Sequence, residues 1–409
     1  MNDWEMKQIK NLGRVVTGKT PPTENSEYFD GEELFVSPKD LDWDSHYITE
    51  TETHITSKAL EKFKNQVIPR NTVMFTSLSF AFGKMGIASR LCLTNQQINS
   101  VIVNRENNPK FVYYLLQAYK PIIFSYNSGI DTPIVPKSVF EKIEVKIPPK
   151  KLQEKIAAIL SAYDELIENN QRRIALLEKM AEEIYREWFV RMRFPGHEKM
   201  KKVKGVPEGW RSSCLGNVAK FTMGQSPSSE FYNEVGDGLP FHQGVGTYGM
   251  RFPRIVTYCS EDGRRAQKGD ILFSVRAPVG RLNIADREMI IGRGLAAVRH
   301  KKGYNSYMYY LLKAAFKNED IIGNGSIFNS VGKDELAKFP IFEPELNLVE
   351  KFDTMIAKMD EQIMRIMQAT ECLKSSRDLL LPRLISGKLS VEHLDIQFPP
   401  GMEESVHDI

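Results

Sequence analysis

Residues 148–193 read PPKKLQEKIAAILSAYDELIENNQRRIALLEKMAEEIYREWFVRMR, and this stretch predicts one long helix. Apolar side chains recur every three or four residues from Leu152 to Trp188, with charged residues between them. Pro149 suits the first turn of a helix, where its missing N–H is not needed, and Pro195-Gly196 favours a stop. At about 1.5 Å per residue such a helix is roughly 60 Å long, which exceeds an ordinary core helix. We therefore expect this stretch to act as a spacer.

The spacer and the segment before it occur twice in the chain. Tyr113-Tyr114-Leu115-Leu116 returns as Tyr309-Tyr310-Leu311-Leu312, and Asp164-Glu165 returns as Asp360-Glu361, each 196 residues later. A constant offset that holds through a helix and the domain before it indicates an internal duplication.

Carrying the apolar seam forward by the same offset predicts a second long helix. This helix should run from about Pro344 to Leu381 and be ended by Pro382. In the forward-carried seam only Thr370 and Arg377 are not apolar. The chain should therefore contain two related spacers.

Composition limits the class of protein. A chain of 409 residues with 42% hydrophobic content should form two to three domains with real cores. Neither a basic-then-apolar N-terminal signal nor an apolar run of roughly 18 residues occurs in the sequence. The four cysteines are scattered without a C-x-x-C pair, which argues against disulfides and zinc and fits a reducing cytoplasm. These cysteines are Cys92, Cys214, Cys259 and Cys372.

Charge is distributed unevenly although the net charge is only +3. Residues 1–57 carry a net −7, whereas residues 58–148 and residues 251–302 each carry a net +7 from 12 Lys/Arg and 5 Asp/Glu. Each half of the chain thus has one basic segment, and such segments are where phosphate contacts are sought. Ordinary solvated surface explains the same charges equally well.

The duplication predicts an α+β (mixed α/β) architecture with two similar globular units. A unit of about 150 residues has a radius of gyration near 15 Å, so it could not easily return the chain along about 60 Å to start a parallel helix. The two long helices should therefore run antiparallel as a coiled coil, with a pseudo-two-fold axis. The expected boundaries are a first globular unit at 1–147, a spacer helix at 148–193, a second globular unit at 194–343, a second spacer helix at 344–390 and a polar tail at 391–409.

Local patterns predict further elements in the first unit. Apolar and β-branched content favours strands at 33–37 and 72–76, a strand at 141–147 and a helix at 111–119. Residues 83–86 predict a turn, and residues 125–129 predict a loop. In the first spacer, Asn170 either faces positions of the Ile366 type as a polar registry residue or lies at the edge of the seam.

Two short motifs suggest chemistry, and neither fits its context. Residues 13–20 match the phosphate-loop pattern G-x-x-x-x-G-K-[ST]. Pro21 and Pro22 follow at once and remove two N–H donors that such a loop needs, so a turn is the better interpretation. Glu144-Val145-Lys146 resembles the E-x-K of nucleases but fits a strand with alternating charges, and the second half of the chain lacks it.

Other catalytic signatures are missing from the sequence. The seven histidines form no H-x-x-x-H spacing, and neither an N-P-P-[FY] tetrapeptide nor an F-x-G-x-G motif occurs. The sequence therefore predicts a chain without a catalytic centre.

Four features, taken with the duplication, closely resemble the specificity subunit of type I restriction-modification systems. Residues 18–21 and 224–227 resemble the turn that follows the family's first segment. Residues 94–99, with 291–295 as their counterpart, resemble its first-domain signature. Residues 183–189 and 380–389 resemble the ends of its central and distal conserved regions, so the resemblance covers essentially the whole chain.

The resemblance implies a function for each part of the chain. Each globular unit would be a target-recognition domain that reads one half of a bipartite site on double-stranded DNA. The helices would space the half-sites and dock two methylation subunits, and restriction subunits would join that core. This chain would hold no cofactor, because S-adenosylmethionine, ATP and magnesium belong to the partner subunits.

Candidate contact residues follow from the chemistry of base recognition, in which Arg or Lys binds guanine and Asn or Gln binds adenine. A turn or surface role is the alternative for each of them. The candidates for DNA contact are Lys19, Thr20, Ser77, Lys84, Asn95 and Gln96 in the first unit, and Gln225, Gln243, Arg276, Arg281 and Arg293 in the second. The candidates for binding a methylation subunit are Tyr185, Phe189 and Ile385, of which Phe189 and Ile385 lie just off the predicted seam.

Two other classes of function share part of this pattern. A coiled-coil assembly scaffold whose end domains bind proteins would share the architecture, but the paired basic segments count against it. A self-sufficient methyltransferase or nuclease would need the motifs that the sequence lacks.

Overall fold

The long helices of the duplicated halves each contribute to two units in the computed structural model of the chain. The structure describes residues 4–41, 46–78, 81–128, 134–203, 205–316, 321–322, 326–327 and 330–396. One unit comprises Met1–Gln171 and Gln368–Ile409, and the other comprises Arg172–Met367. Each unit thus contains one globular part together with a segment of each long helix.

The first unit is built on a five-stranded sheet backed by helices. Its strands, in spatial order, are Gly13–Thr17, Ile98–Val103, Val73–Thr76, Met85–Ala88 and Tyr47–Ile48. A three-stranded sheet has the order Thr53–Ile55, Phe29–Val36 and Cys92–Thr94, and Glu5–Gln8 pairs with Glu144–Ile147. The helices of this globular part are Ile9–Leu12, Ser57–Lys62, Pro109–Ala118, Lys120–Ser125 and Lys137–Phe140, with a 3-10 turn at Ser26–Tyr28.

Local chemistry explains the helix Pro109–Ala118. The side chain of Asn108 accepts a hydrogen bond from the Phe111 N–H at 3.0 Å and caps the helix, and Pro109 occupies its first turn. Its side chains from Phe111 to Leu116 are buried in the core of the first unit. The predicted helix at 111–119 and the strands at 33–37 and 72–76 are confirmed within one to four residues at their ends.

The second unit repeats the central sheet. Its four-stranded sheet has the order Ala219–Met223, Leu295–His300, Ile271–Ser274 and Leu282–Ile284, and a five-stranded sheet has the order Tyr232–Asn233, Thr257–Cys259, Leu239–His242, Met289–Ile291 and Arg265–Ala266. Two-stranded pairs join Arg211–Cys214 to Pro340–Glu343, Lys202–Val203 to Val206–Pro207, and Ile321–Ile322 to Ser326–Ile327. The helices of this globular part are Leu215–Val218, Asn305–Ala315 and Lys333–Lys338, with 3-10 turns at His197–Lys199, Ser229–Phe231 and Val245–Thr247.

The two long helices are Lys150–Tyr185, of 36 residues, and Leu346–Ile385, of 40 residues. Lys150–Tyr185 is followed by a π-helical turn at Arg186–Val190 and not by regular helix to residue 193. The expected stop at Pro382 is wrong, since this proline lies inside Leu346–Ile385. Proline removes one N–H donor, but the Ser386 N–H still donates to the Pro382 carbonyl at 3.1 Å, and Gly387 ends the turn with φ +74°.

Helix segments run antiparallel in each unit. In the first unit, Asp164 contacts Arg377 and the Asn170 amide donates to the Thr370 hydroxyl at 3.2 Å, so residue numbers rise along one segment as they fall along the other. In the second unit, Tyr185 packs edge-to-face on Phe352 near the start of the other helix. Thr370 and Arg377, the two positions of the second seam that are not apolar, thus have polar partners. Asn170 pairs with Thr370, where the sequence allowed a position of the Ile366 type.

Two further expectations need correction. Only Gly83 and Lys84 lie in the turn expected at 83–86, because Met85 and Gly86 begin a buried strand. Residues 391–396 are not a free polar tail, since Val391 is buried and the Lys155 ammonium donates to the Glu392 and Leu394 carbonyls at 2.7 and 2.8 Å. The remaining tail residues lie outside the described residues.

Candidate functional site

The term first edge denotes one edge of the five-stranded sheet in the first unit. The strands Gly13–Thr17 and Val73–Thr76 end there, and the strands Ile98–Val103 and Met85–Ala88 begin there. The antiparallel register places these termini together, with Thr17 opposite Asn99, Thr76 opposite Ile98 and Phe75 opposite Met85. Each DNA-contact candidate of the first unit lies within three residues of one of these termini. The structure therefore brings all six to one edge: Lys19, Thr20, Ser77, Lys84, Asn95 and Gln96.

Hydrogen bonds hold the turns of the first edge against each other. The Lys19 N–H donates to the Thr94 carbonyl at 2.8 Å, and the Thr20 hydroxyl donates to the Gln96 side-chain carbonyl at 2.7 Å. The Lys19 ammonium lies over the Phe63 ring at 5.6 Å from its centroid. Lys19 and Gln96 are exposed, so both side chains are available to a ligand.

Ser77 is the weakest candidate of the first edge. It is 5% exposed, and its hydroxyl accepts a hydrogen bond from the Asn99 amide at 3.0 Å. The Asn99 side-chain carbonyl in turn accepts from the Thr17 hydroxyl at 2.7 Å. The Ser77 hydroxyl is buried and already hydrogen-bonded within this network. Its position therefore does not support the expectation that Ser77 contacts DNA. Its role in the structure is to join two strand ends.

The second edge is the equivalent edge of the four-stranded sheet in the second unit. Ala219–Met223 and Ile271–Ser274 end there, and Leu295–His300 and Leu282–Ile284 begin there. The end of Leu239–His242 reaches the same place, because the Gly292 N–H donates to the His242 carbonyl at 2.8 Å. All five candidates are exposed at this edge: Gln225, Gln243, Arg276, Arg281 and Arg293.

A serine at the second edge repeats the contact of Thr20. The Ser226 hydroxyl donates to the Gln243 side-chain carbonyl at 2.9 Å and accepts from the Arg293 N–H at 3.2 Å. The glycine two residues before each hydroxyl residue allows these close contacts, since a Cβ on Gly18 or Gly224 would lie 2.2 Å from a backbone oxygen of the opposing turn. The G-x-[ST]-P pattern of the sequence therefore marks the same turn in both units.

Sequence reasoning missed one segment beside the first edge. The Ser128 N–H donates to the Ile134 carbonyl at 3.1 Å, and the Val135 N–H donates to the Ser77 carbonyl at 2.9 Å, which attaches this loop to the strand end. Tyr126 is 50% exposed in it. An exposed aromatic residue in a predicted loop was the available signal. Gly129, the last residue of that predicted loop, lies outside the described residues.

The first cluster is a buried group where the globular part meets the long helices of the first unit. Asp164 accepts hydrogen bonds from the His46 imidazole at 2.9 Å, the Tyr114 hydroxyl at 2.5 Å and the Arg377 guanidinium at 2.5 Å. Burial alone would raise the pKa of Asp164, but the hydrogen bond and charge of His46, together with Arg377 and Tyr114, hold that pKa below its usual value.

The second cluster occupies the equivalent place in the second unit. The Arg251 guanidinium binds Asp360 of one helix, Glu178 of the other at 3.3 Å and the Tyr310 hydroxyl at 3.4 Å. It also stacks over the Tyr309 ring at 4.8 Å. Burial raises the pKa of Asp360 above its usual value, although Arg251 and the Ser306 hydroxyl act in the opposite direction. No sequence signal singled out His46 or Arg251.

The structure corrects the expectation for partner binding. Tyr185 and Phe189 are buried in the core of the second unit, where Phe189 packs on Tyr307 and Phe352 at ring distances of 5.0 and 5.1 Å. Ile385 is 2% exposed in the core of the first unit. Phe189 and Ile385 are therefore not exposed to a partner in this chain, because the globular parts cover the helix ends.

The remaining motifs have structural explanations. The phosphate-loop match begins with the strand Gly13–Thr17, and residues 18–22 do not open a helix. Glu144 and Lys146 are exposed on alternate positions of the strand Glu144–Ile147. Within the part of the chain that the structure describes, His, Cys, Asp and Glu side chains form no group of three or more that could hold a metal ion. None of the described helices has the length and apolar character needed to cross a membrane.

Comparisons with known proteins agree with this architecture. The family model for the type I restriction modification DNA specificity domain matches residues 1–179 and 207–372. The chain is 28% identical to the type I restriction enzyme MjaIX specificity subunit of Methanocaldococcus jannaschii, covering 96% of this chain and 95% of that protein. It is 27% identical to the putative MjaX specificity subunit of the same organism, with coverage of 95% and 94%.

A solved structure shares the fold. The crystal structure of the type I restriction-modification S subunit from M. genitalium matches with a TM-score of 0.59 at 18% identity, covering 93% of this chain and 96% of that chain. The family model matches twice, once in each half of the duplicated chain. The two copies of the matched domain and the mixed helix and sheet content fit one conclusion: the chain belongs to the type I restriction modification DNA specificity domain family, as a type I specificity subunit.

Proposed function

We propose that this chain is the non-catalytic subunit that determines the DNA sequence methylated by a type I restriction-modification complex. Each globular part reads one half of a bipartite target on double-stranded DNA. The long helices set the separation of the half-sites and dock two methylation subunits, and restriction subunits join this core. The cytoplasm is the expected location, in keeping with four free cysteines.

The observation that carries the proposal is the convergence of candidate side chains at the two edges. Arg276, Arg281 and Arg293 are exposed together at the second edge, and arginine binds the O6 and N7 atoms of guanine with two hydrogen bonds. Gln225 and Gln243 are exposed beside them, and glutamine has the matching groups for adenine. One edge thus offers side chains for both purines.

Turns at strand ends suit sequence recognition for a second reason. Backbone hydrogen bonds hold each turn to its neighbour, as from the Gln225 N–H to the Ile291 carbonyl at 3.0 Å and from the Val275 N–H to the Gly294 carbonyl at 2.9 Å. A rigid frame with variable side chains allows new sequence preferences without a new fold. S-adenosylmethionine, ATP and magnesium are expected on the partner subunits.

The test is methylation of a randomised DNA library by the complex with its methylation subunit, followed by sequencing of methylated adenines. Arg293→Ala should relax base preference at one position of one half-site, because a lost two-bond contact to a base costs about 1–3 kcal/mol. The other half-site should keep its preference.

A matched control is available in the same unit. Arg211 is exposed in the strand Arg211–Cys214, before the strand that runs to the second edge, and pairs at the surface with Glu343 at 3.6 Å. Arg211→Ala should leave both half-sites unchanged. Equal loss at both half-sites in Arg293→Ala would contradict base reading by this edge. Site-specific DNA methylation that does not need this chain would contradict the proposed function itself.

A further inference from the structure

A hairpin loop connects the second edge to the long helices of the second unit. Residues 243–256 leave the edge at Gln243 and fold back on themselves, with the Arg254 N–H donating to the Thr247 carbonyl at 2.8 Å and the Gly249 N–H to the Phe252 carbonyl at 3.1 Å. The Tyr248 hydroxyl donates to the Leu272 carbonyl at 2.9 Å, which ties the loop to the central sheet. The tip of this hairpin carries Arg251.

The tip is attached on both sides. The Arg251 carbonyl accepts from the Ile284 N–H at 2.9 Å, in the strand that begins at the second edge beside Arg281. The Arg251 side chain is 0% exposed and bridges Glu178 on one long helix and Asp360 on the other. Arg251 therefore connects the four-stranded sheet, which carries the second edge, to both long helices.

Stability alone does not account for this bridge. Burying a guanidinium is costly, and well-packed apolar residues often replace buried ion pairs without loss of stability. The Arg251 Nε atom is buried and has no hydrogen-bond acceptor among the residues that the structure describes. What the planar guanidinium adds is direction, because its nitrogens must meet a carboxylate from each helix at once.

We propose that Arg251 is a positioning residue that fixes the orientation of the second edge on the two long helices and thereby the half-site gap that the complex accepts. This inference rests on the proposed function, since it concerns how an edge that reads DNA is held on its spacer. Arg251 itself contacts no DNA, because its side chain is enclosed. Its effect should appear in the choice of gap and not in the choice of bases.

The first unit carries the same arrangement with other chemistry. His46 directly precedes the strand Tyr47–Ile48, its carbonyl accepts from the Ile87 N–H at 2.5 Å, and its ring binds Asp164. Asp164 and Asp360 are 196 residues apart, as are Tyr114 and Tyr310. In both units one residue links the sheet to a long helix beside the repeated Asp-Tyr pair. This residue is His46 in the first unit and Arg251 in the second, and the shared position supports a positioning role.

The experiment uses the whole complex with its methylation subunit and a DNA library in which both the half-site bases and the gap between them vary. Arg251→Met keeps an unbranched side chain over Tyr309 and removes the charge. Methylation at gaps one base pair shorter or longer, relative to the native gap, should rise by about 2- to 30-fold, the range typical for residues that couple two sites. Base preference in the second half-site should stay as in the wild type.

Three comparisons make the result decisive. Arg287→Met removes an exposed arginine of the same unit that pairs with the adjacent Asp286 at 2.8 Å, and it should leave gap choice unchanged. Arg293→Ala should show the converse pattern, with relaxed bases at the native gap. Glu178→Gln removes one of the two helix carboxylates without changing side-chain size, and it serves as the second test if Arg251→Met lowers the yield of folded complex.

The outcomes separate the possibilities. Broadened gap choice in either variant, with unchanged base preference, supports the positioning role. An unchanged gap profile in a folded Arg251→Met complex overturns it, even if the melting temperature falls, because a merely structural residue would change stability alone. Where Arg251→Met does not fold, the same result for Glu178→Gln overturns it. If the wild-type complex showed no dependence on half-site sequence, the proposed function itself would fail, and the gap-setting role of Arg251 would fail with it. A wild type that selects bases and gap, beside a variant with an unchanged gap profile, overturns the role of Arg251 alone.

Discussion

The two units repeat one scaffold but differ in the charge they place on it. Both sheets end in an edge formed by four strand termini, and each unit has an Asp-Tyr pair 196 residues from its counterpart. In the first cluster, the His46 imidazole and the Arg377 guanidinium surround one carboxylate. In the second cluster, one cation, Arg251, lies between two carboxylates. Duplication has thus preserved the backbone frame while the electrostatics have diverged.

The edges differ in the same way. Five candidates are exposed at the second edge, three of them arginines, whereas only Lys19 and Gln96 are exposed at the first. Ser77 is buried, and its hydroxyl accepts a hydrogen bond from the Asn99 amide. An edge rich in exposed arginine favours guanine contacts, and one with Asn95 and Gln96 favours adenine contacts. Under the proposed function, we therefore expect the two half-sites to differ in sequence.

The largest expected effect separates the two units. Phe189→Asp should destabilise the second unit by at least about 4 kcal/mol, because it removes a buried ring and places a carboxylate among Tyr185, Tyr307 and Phe352. The globular part of the first unit should remain folded. Hydrogen exchange resolved by peptide would report each unit separately. A variant that stays folded throughout and fails only to bind the methylation subunit would restore the partner-facing role.

The two clusters predict unequal effects of one substitution. Asp164→Asn should cost about 3–5 kcal/mol, because it leaves Arg377, whose side chain is 5% exposed, without its closest anion. Asp360→Asn should cost less, because burial raises the pKa of Asp360 above its usual value, so that its charge stabilises the fold less, and because Glu178 still faces Arg251. Urea denaturation of both variants at neutral pH measures the difference. Equal costs would show that the carboxylates are equivalent despite their surroundings.

Acid should change these effects in opposite directions. The lowered pKa of Asp164 means that its charge stabilises the fold above the usual carboxyl pKa of about 3.9, and this stability is lost as pH falls through the lower folded value. The raised pKa of Asp360 means that the wild type loses stability relative to Asp360→Asn as pH rises from about 4 through the folded value. Melting temperatures of wild type and both variants between about pH 3 and 7 test the signs.

The smallest effect concerns the seam of the first unit. Thr370→Val should cost about 1 kcal/mol, because the Asn170 amide loses its hydroxyl acceptor in a half-buried place. Replacing both residues with apolar ones should recover most of that loss, since neither partner is then left unpaired. A double-mutant cycle by thermal denaturation gives the coupling. A coupling near zero would mean that the hydrogen bond does not contribute to the seam.

Repetition and periodicity made most of the architecture predictable. The offset of 196 and the spacing of apolar residues depend only on local geometry, which is why the two helices, the antiparallel seam and the paired units could be expected. The candidates of each unit lie at one edge of its sheet. This follows because neighbouring antiparallel strands end and begin at the same edge, so the turns that flank them lie close together. Side-chain exposure was not predictable, and the burial of Phe189, Ile385 and Ser77 was not foreseen for that reason.

By itself the sequence determined the family, the duplication and the residue types available for base recognition, because these properties follow from order and spacing along the chain. Only the tertiary structure decided which of those residues are exposed, and only it revealed His46 and Arg251. The partners of these two residues lie 118 and 109 positions away in sequence, at Asp164 and Asp360. Burial and ion pairing depend on contacts between distant segments, and periodicity carries no information about them.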